Sequence, residues 1–339
     1  MDLTLESQSQ ALLNMIRVSE PDRPGYNFET ALDTLAPPLY YTCRMGSALI
    51  SLYLIEQGPQ VNEISEHTWL GAPLHAAAFR GYNHVIMKLL QNGTDVNMLA
   101  GQFGSALATV AYRGGTEILQ LLLDRGANIN AEGGVFGSAL ATAACYGETE
   151  TVQFLLDRGA NVNAEGGGYR SALATAACYG ETETVQFLLD RGANVNAEGG
   201  RYGSALTAAV YFGKTETVRL LLDRGANINA KGGIYGNALQ SAIAEGKADC
   251  VELLLSLGAE IDPLTGQELE DLSTRLEEQE YGEGYRRKVI DRLRTYGENP
   301  AAYVEWVREK EEKWEREALE RRERLEKQNQ QLVLEGSST

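Results

Sequence analysis

The chain runs to 339 residues, 43% of them apolar, with 47 acidic against 30 basic side chains and a formal net charge of −17. An anionic surface repels phosphates and anionic lipid headgroups, so nucleic acid and membrane are poor partners on electrostatic grounds. Four cysteines are too few for a disulfide scaffold in a chain of this length, no apolar run approaches the roughly 20 residues that span a bilayer, and the opening MDLTLESQSQALLNMI lacks the basic leader and long apolar stretch of a secretory signal; the expectation is an intracellular protein, cytoplasmic or nuclear.

Residues 1–35 hold one apolar cluster, Leu12, Leu13, Met15 and Ile16, then a proline-rich stretch, and read as a partly disordered N-terminal cap. From residue 36 to residue 262 the sequence repeats itself. The string SALATAACYGETETVQFLLDRGANVNAEGG at residues 138–167 recurs unchanged at 171–200. Leu107, Leu140, Leu173, Leu206 and Leu239 follow one another at intervals of 33 residues, with Leu74 one interval earlier and Leu39 a further 35 before it. That makes seven copies, with two extra residues in the connection that holds Trp69.

Two glycine series mark the inside of each copy: Gly46, Gly81, Gly114, Gly147, Gly180, Gly213 and Gly246, then Gly58, Gly93, Gly126, Gly159, Gly192, Gly225 and Gly258. Each follows a segment with helical apolar spacing, where a left-handed residue ends a helix cheaply. One copy therefore predicts a short helix, a glycine turn, a longer helix, a glycine stop and a polar loop. Ser138 sits where an N-cap belongs, and Thr149 is expected to cap the second helix. Ala143 and Ala144 let helices approach closely, while Val152, Leu155 and Leu156 mark a buried face opposite Asp157 and Arg158. Two helices cannot bury such a face alone, so the copies must stack into an all-α solenoid of helix–turn–helix units joined by hairpin loops.

Beyond the repeats, Leu264, Leu269, Leu272 and Leu276, then Val289, Ile290, Leu293 and Tyr296, recur at helical spacing. Residues 263–297 thus read as a helical C-terminal cap folded on the seventh copy. Residues 298–339 read as a charged helix and flexible tail, with Glu309–Lys313, Glu312–Arg316, Glu320–Arg324 and Glu323–Lys327 at the stabilising four-residue spacing. A heptad frame puts Val307, Trp314, Ala318, Leu325 and Leu332 on one seam, but Glu311, Arg321 and Gln328 share it. A solitary helix and a weak self-associating coiled coil both remain open, and the repeats themselves predict a monomer.

These repeats resemble the ankyrin family, whose pattern is T-P-L-H, a glycine turn, V-x-x-L-L and G-A-x-V-N. Ala72, Pro73, Leu74 and His75, followed by Asp95, Val96 and Asn97, come closest; later copies put Ser-Ala in place of Thr-Pro and Ala, Thr or Gln in place of His. The loops GGVFGSAL, GGRYGSAL and GGIYGNAL replace the family's loop glycine with an aromatic residue. They look like a glycine-rich variant of fungal ankyrin proteins, which are often joined to a nucleotide-hydrolysing domain. The resemblance implies a protein-binding module (adaptor, scaffold or inhibitor). The alternative it implies is a regulatory arm derived from a nucleotide-hydrolysing protein whose catalytic domain is absent.

Motifs that mimic chemistry have plainer readings. Gly213, Lys214 and Thr215 spell the end of a phosphate loop, but the glycine needed five residues earlier is Ala208, inside a predicted helix. The run Gly133–Gly137 mimics a dinucleotide fingerprint, yet it recurs at intervals of 33 residues between helices rather than after a strand. His67, His75 and His84 have no cysteine partners at zinc-ligand spacing. The resemblance gives His75 the role of bracing neighbouring loops. Cys145 and Cys178 occupy equivalent places in adjacent copies and read as small apolar fillers. No catalytic residue, cofactor or metal site is assigned.

The resemblance places partner contacts on loop tips and on the first helix, at the two residues before the first glycine. Those positions give Phe79 and Arg80, Tyr112 and Arg113, Tyr146, Tyr179, and Tyr211 and Phe212 as candidate binding residues, with Arg44 also in the series. Aromatic residues and arginine dominate binding hot spots. The loop aromatics Phe103, Phe136, Tyr169, Tyr202 and Tyr235, led by Leu70, form a second ladder. Its uniformity favours repeat-to-repeat packing, whereas the varied helix pairs favour binding.

Overall fold

The computed structural model describes residues 38–57, 60–65, 68–260, 264–278 and 283–298. The predicted N-terminal cap and charged C-terminal helix, together with Gly58 and His67, lie outside the described residues. Among the described residues there are sixteen α-helices and no strand. Seven helix pairs succeed one another: α1 (Pro38–Met45) and α2 (Ala48–Gln57), α3 (Pro73–Arg80) and α4 (Asn83–Gln91), α5 (Ala106–Ala111) and α6 (Thr116–Asp124), α7 (Ala139–Cys145) and α8 (Thr149–Asp157), α9 (Ala172–Tyr179) and α10 (Thr182–Asp190), α11 (Ala205–Tyr211) and α12 (Thr215–Asp223), α13 (Ala238–Glu245) and α14 (Ala248–Ser256). Two longer helices follow, α15 (Gly266–Glu278) and α16 (Glu283–Glu298). The chain divides into two compact units at Ala226 and Asn227.

In the first unit the short helices α1, α3, α5, α7, α9 and α11 pack each against the next in a solenoid-like array. They can approach because alanine lines them: Ala76, Ala77, Ala111, Ala143, Ala144, Ala176, Ala177 and Ala209 are wholly buried. Ser105, Ser138, Ser171 and Ser204 cap them by accepting the amide of the residue three places on, at 3.0–3.1 Å. Such a cap contributes about 1 kcal/mol. Glycine ends them in the left-handed conformation, as at Gly81 (φ 76°) and Gly180 (φ 81°).

Thr149 does not cap the second helix. It is already helical, and Glu148 occupies the cap position without a side-chain bond. A capping hydroxyl must hang from extended backbone just before the first turn; from inside that turn it faces the neighbouring repeat. Thr149 Oγ1 accordingly meets Thr184 Oγ1 at 2.9 Å, and Thr182 meets Thr217 at 2.8 Å.

Other polar links also run from repeat to repeat. His75 is fully buried and its Nε2 lies 3.1 Å from the Gly104 carbonyl, the bracing role that the family resemblance implied. Asn97 accepts the Asn128 amide at 2.7 Å and donates to the Gly126 carbonyl at 3.1 Å. Asn163 does the same with Asn194 and Gly192, at 2.8 and 3.1 Å. Asp157 and Asp190 point outward, as predicted, and pair with Arg191 and Arg224, each at 2.8 Å.

The glycine-rich loops are hairpins closed by bridges such as Gly133 to Gly137 and Gly166 to Arg170. One backbone bond ties each tip to the last: Gln102 N to Trp69 O (2.8 Å), Val135 N to Gln102 O (2.8 Å), Gly168 N to Val135 O (3.0 Å) and Arg201 N to Gly168 O (3.3 Å). A methyl group at Gly134 or Gly167 would collide with the backbone of the preceding loop. The motif is therefore a requirement of loop stacking, and a dinucleotide reading has no use for it.

In the second unit Asn237 and Gln240 form a reciprocal capping box at the start of α13. Helix α16 packs against α13, with Arg292 Nη1 donating to the Ala244 carbonyl at 2.8 Å. Leu269, Leu272, Val289 and Leu293 supply the buried side of α15 and α16.

Candidate partner-binding face

Each short helix of the first unit ends in residues that the glycine turn leaves at the surface. Tyr112 and Tyr146 follow α5 and α7 directly, Tyr179 closes α9, and Tyr211 closes α11 ahead of Phe212. Tyr146 is 43% exposed, Tyr179 40%, Phe212 37%; Phe79, Tyr112 and Tyr211 are half-buried. The rings touch along the array. Phe79 stacks on Tyr112 at 5.8 Å, Tyr112 meets Tyr146 edge-on at 4.5 Å, and Tyr146 lies 6.4 Å from Tyr179. Tyr211 and Phe212 lie 4.8 Å apart. Their link to Tyr179 runs through the loops, from Tyr179 to Tyr169 (5.9 Å), Tyr169 to Tyr202 (6.0 Å) and Tyr202 to Tyr211 (4.7 Å).

The loop aromatics form the bed beneath. Phe103 and Phe136 are buried and Tyr169 and Tyr202 half-buried, with Phe136 stacked on Tyr169 at 6.5 Å and 10°. Leu70 is core. In the second unit Tyr235 is buried and donates to Glu245 Oε1 at 2.7 Å. The helix-end rings are exposed at Tyr146, Tyr179 and Phe212 and half-buried elsewhere, whereas no ring of the loop ladder is exposed.

Of the two candidate arginines in the series, Arg113 lies over the Phe79 ring at 5.4 Å, within the strip. Arg80 turns instead to the Tyr82 ring at 5.9 Å. Trp69 also belongs to the strip, although the repeat pattern does not single it out. It is 37% exposed, 5.1 Å from Phe79 and 5.3 Å from Phe103. The one sequence signal for it is the irregular 35-residue interval that contains it.

The electrostatics beneath the strip are those of packing. Burial pushes the Cys145 thiol up to about 12 and that of Cys178 to about 11. Burial likewise raises the Tyr146 and Tyr179 phenols to about 12, so all four stay neutral at pH 7. Burial lowers His75 to about 4. Among the described residues no group of three or more potential metal ligands gathers. Lys214 sits at the start of α12 with its stem across Gly180, and Ala208 lies within α11, so the Gly-Lys-Thr string is a turn between helices. No helix among the described residues is long and apolar enough to cross a membrane.

Four overlapping stretches, 74–166, 106–199, 141–232 and 176–264, match the family profile described as ankyrin repeats (3 copies), together more than half of the chain. The crystal structure of the human ASB11 ankyrin repeat domain is 28% identical, with a TM-score of 0.53, over 67% of this chain and 100% of that one. No curated protein matches the sequence. Ankyrin repeats are generally modules of protein–protein interaction and typically non-catalytic. With the profile matched over more than half of its length, the chain belongs to the ankyrin-repeat family.

Proposed function

We propose that this protein is an interaction module, serving as an adaptor, scaffold or inhibitor, which seats a partner protein on the concave side along the strip from Trp69 to Phe212. One observation carries the reading. A row of aromatic rings in mutual contact is left about 40% exposed at Tyr146 and Tyr179, over a loop ladder already packed. Rings held by their neighbours lose little entropy on binding, which is why aromatics dominate hot spots. On this reading the chain acts by binding, as an intracellular monomer. The Gly-Gly-x-aromatic-Gly hairpins support placing it with the glycine-rich variant resembling fungal family members.

The test is a partner recovered by affinity purification and mass spectrometry, its affinity then measured for the native chain and for Tyr146→Ala/Tyr179→Ala. Binding should weaken by about 2 kcal/mol or more, the hot-spot scale. Stability should fall by only about 1 kcal/mol, the worth of the ring-to-ring packing that the substitutions remove. A large loss of stability with unaltered affinity of the folded fraction would return these rings to the core.

A further inference from the structure

Two acidic side chains lie along the strip. Glu148 and Glu181 stand just after the glycine turns of α7 and α9, and each reaches back one repeat. A methyl group at Gly114, two residues past Tyr112, would collide with the Glu148 carboxylate; one at Gly147, next to Tyr146, would collide with that of Glu181. Glu181 is close enough to Cys145 to oppose ionisation of its thiol. Both glutamates are half-buried, and neither carboxylate has a hydrogen-bond or ion-pair partner among the described residues. More exposed carboxylates of the same repeats do have one: Asp157, Asp190 and Glu165 hold Arg191, Arg224 and Arg170.

Among the described residues no basic side chain neutralises either carboxylate, and both reach solvent, so a cation brought to them is attracted without first displacing a partner. Tyrosine faces beside them add attraction for the same cation. The acidic window is two repeats wide. On one side Arg113 covers Phe79, and on the other Lys214 takes the place equivalent to Glu148 and Glu181, lying across Gly180. The overall charge of −17 works in the same direction.

Spacing narrows the occupant further. Glu148 and Glu181 are one repeat apart, and neighbouring packed helices lie roughly 8–10 Å from each other. A polyproline-type helix has three residues per turn and rises about 3.1 Å per residue, so side chains three apart share one face about 9 Å apart. Such helices are also the segments that dock on aromatic grooves, because they are extended before they bind. We infer that the strip between Tyr112 and Tyr179 receives an extended, polyproline-type segment of the partner whose basic side chains recur every third residue and meet Glu148 and Glu181 in turn. This rests on the interaction reading above and adds the chemistry of the partner.

The probe is a fluorescein-labelled peptide, Pro-Pro-Arg-Pro-Pro-Arg-Pro-Pro, titrated with the full chain at physiological salt and followed by anisotropy. Its control, Pro-Pro-Pro-Arg-Arg-Pro-Pro-Pro, has the same composition and charge with the arginines adjacent. The spaced peptide should bind saturably, about fivefold or more tighter than the control. Glu148→Gln/Glu181→Gln and Tyr146→Ala/Tyr179→Ala should each weaken it about tenfold. Glu150→Gln/Glu183→Gln, which removes the same charge from exposed positions on α8 and α10, should change it less than about twofold. Melting temperatures of all variants confirm folding, and the glutamine pair keeps the test open if the alanine pair unfolds. Equal losses in the two glutamine pairs would mean diffuse attraction to an acidic protein, and would overturn the inference. So would equal affinity for both peptides, or no binding of either. If a recovered partner still depends on Tyr146 and Tyr179 while both peptides fail, the inference falls and the interaction reading stands.

Discussion

Replacing Gly137 by alanine should destabilise the protein far more than the same change at Gly159, although both glycines are left-handed, with φ of 88° and 92°. The conformational cost of a side chain there is common to the pair, about 1 kcal/mol. A methyl at Gly159 meets nothing within 4 Å, so that cost stands alone. A methyl at Gly137 would lie 2.5 Å from Gly167 N and 2.6 Å from Gly166 O, in the backbone of the next loop. Clearing it requires the loops to part by about 1 Å, at an overpacking cost of about 1–3 kcal/mol. That movement strains the bond from Gly168 N to Val135 O at 3.0 Å, worth about 1 kcal/mol. Gly137→Ala should therefore cost about 3–5 kcal/mol in all, roughly 2–4 kcal/mol more than Gly159→Ala. Urea unfolding of both variants, followed by circular dichroism, measures the difference. Arg170 supports the argument from inside the molecule. It is the one non-glycine residue at positive φ (71°) among those described, in the place that Gly104, Gly137, Gly203 and Gly236 hold elsewhere. There the following loop stands off, with the Arg201 N to Gly168 O bond stretched to 3.3 Å. Equal destabilisation at Gly137 and Gly159 would refute loop stacking as the reason for the motif.

Protonating His75 should loosen the array. Its Nε2–H donates to Gly104 O, since a carbonyl can only accept, and its buried Nδ1 has no partner. With the folded value lowered to about 4 against an ordinary 6.5, its contribution is whole above pH 6.5 and is lost as pH falls toward 4. The loss is on the order of 2–3 kcal/mol, and thermal melts at pH 7.5 and 4.5 should show it shrink in His75→Gln. Cys145 and Cys178 should react with a disulfide reagent at pH 8 about 100-fold more slowly in the native chain than in denaturant, because burial suppresses the thiolate; comparable rates would contradict their burial. Asn163→Ala removes two bonds to the following repeat and should cost about 1–2 kcal/mol by urea unfolding, where an ordinary exposed loop asparagine would cost less than about 0.5 kcal/mol.

The helix pairs are legible in the sequence because one pattern is written seven times, and each copy checks the others: Ser138 and its equivalents, the two glycine series and the alanine faces. The exposed aromatics are legible for the same reason, being tied to a glycine of known place. What escapes is whatever depends on the neighbouring repeat. Thr149 looks like a cap in sequence, but its hydroxyl serves Thr184. The loop asparagines look merely polar, yet Asn97 and Asn163 bond across repeats. Glu148 and Glu181 look like ordinary turn residues, because spacing along a chain does not say which side chain folds back on which glycine. Trp69 falls in the one connection of irregular length. The division at Ala226 and Asn227 is invisible to periodicity, since Leu206 and Leu239 keep the common interval across it.

Hydroxyl-radical footprinting of the full chain, free and bound to its recovered partner, tests the central claim most directly. Trp69, Tyr146, Tyr179 and Phe212 are open enough to oxidise in the free chain, while Phe154 and Phe187 on the second helices report the opposite side of each pair. The account predicts strong protection of Tyr146 and Tyr179 in the complex with Phe154 and Phe187 unchanged. Protection of Phe154 and Phe187 with Tyr146 and Tyr179 oxidised as before would contradict it.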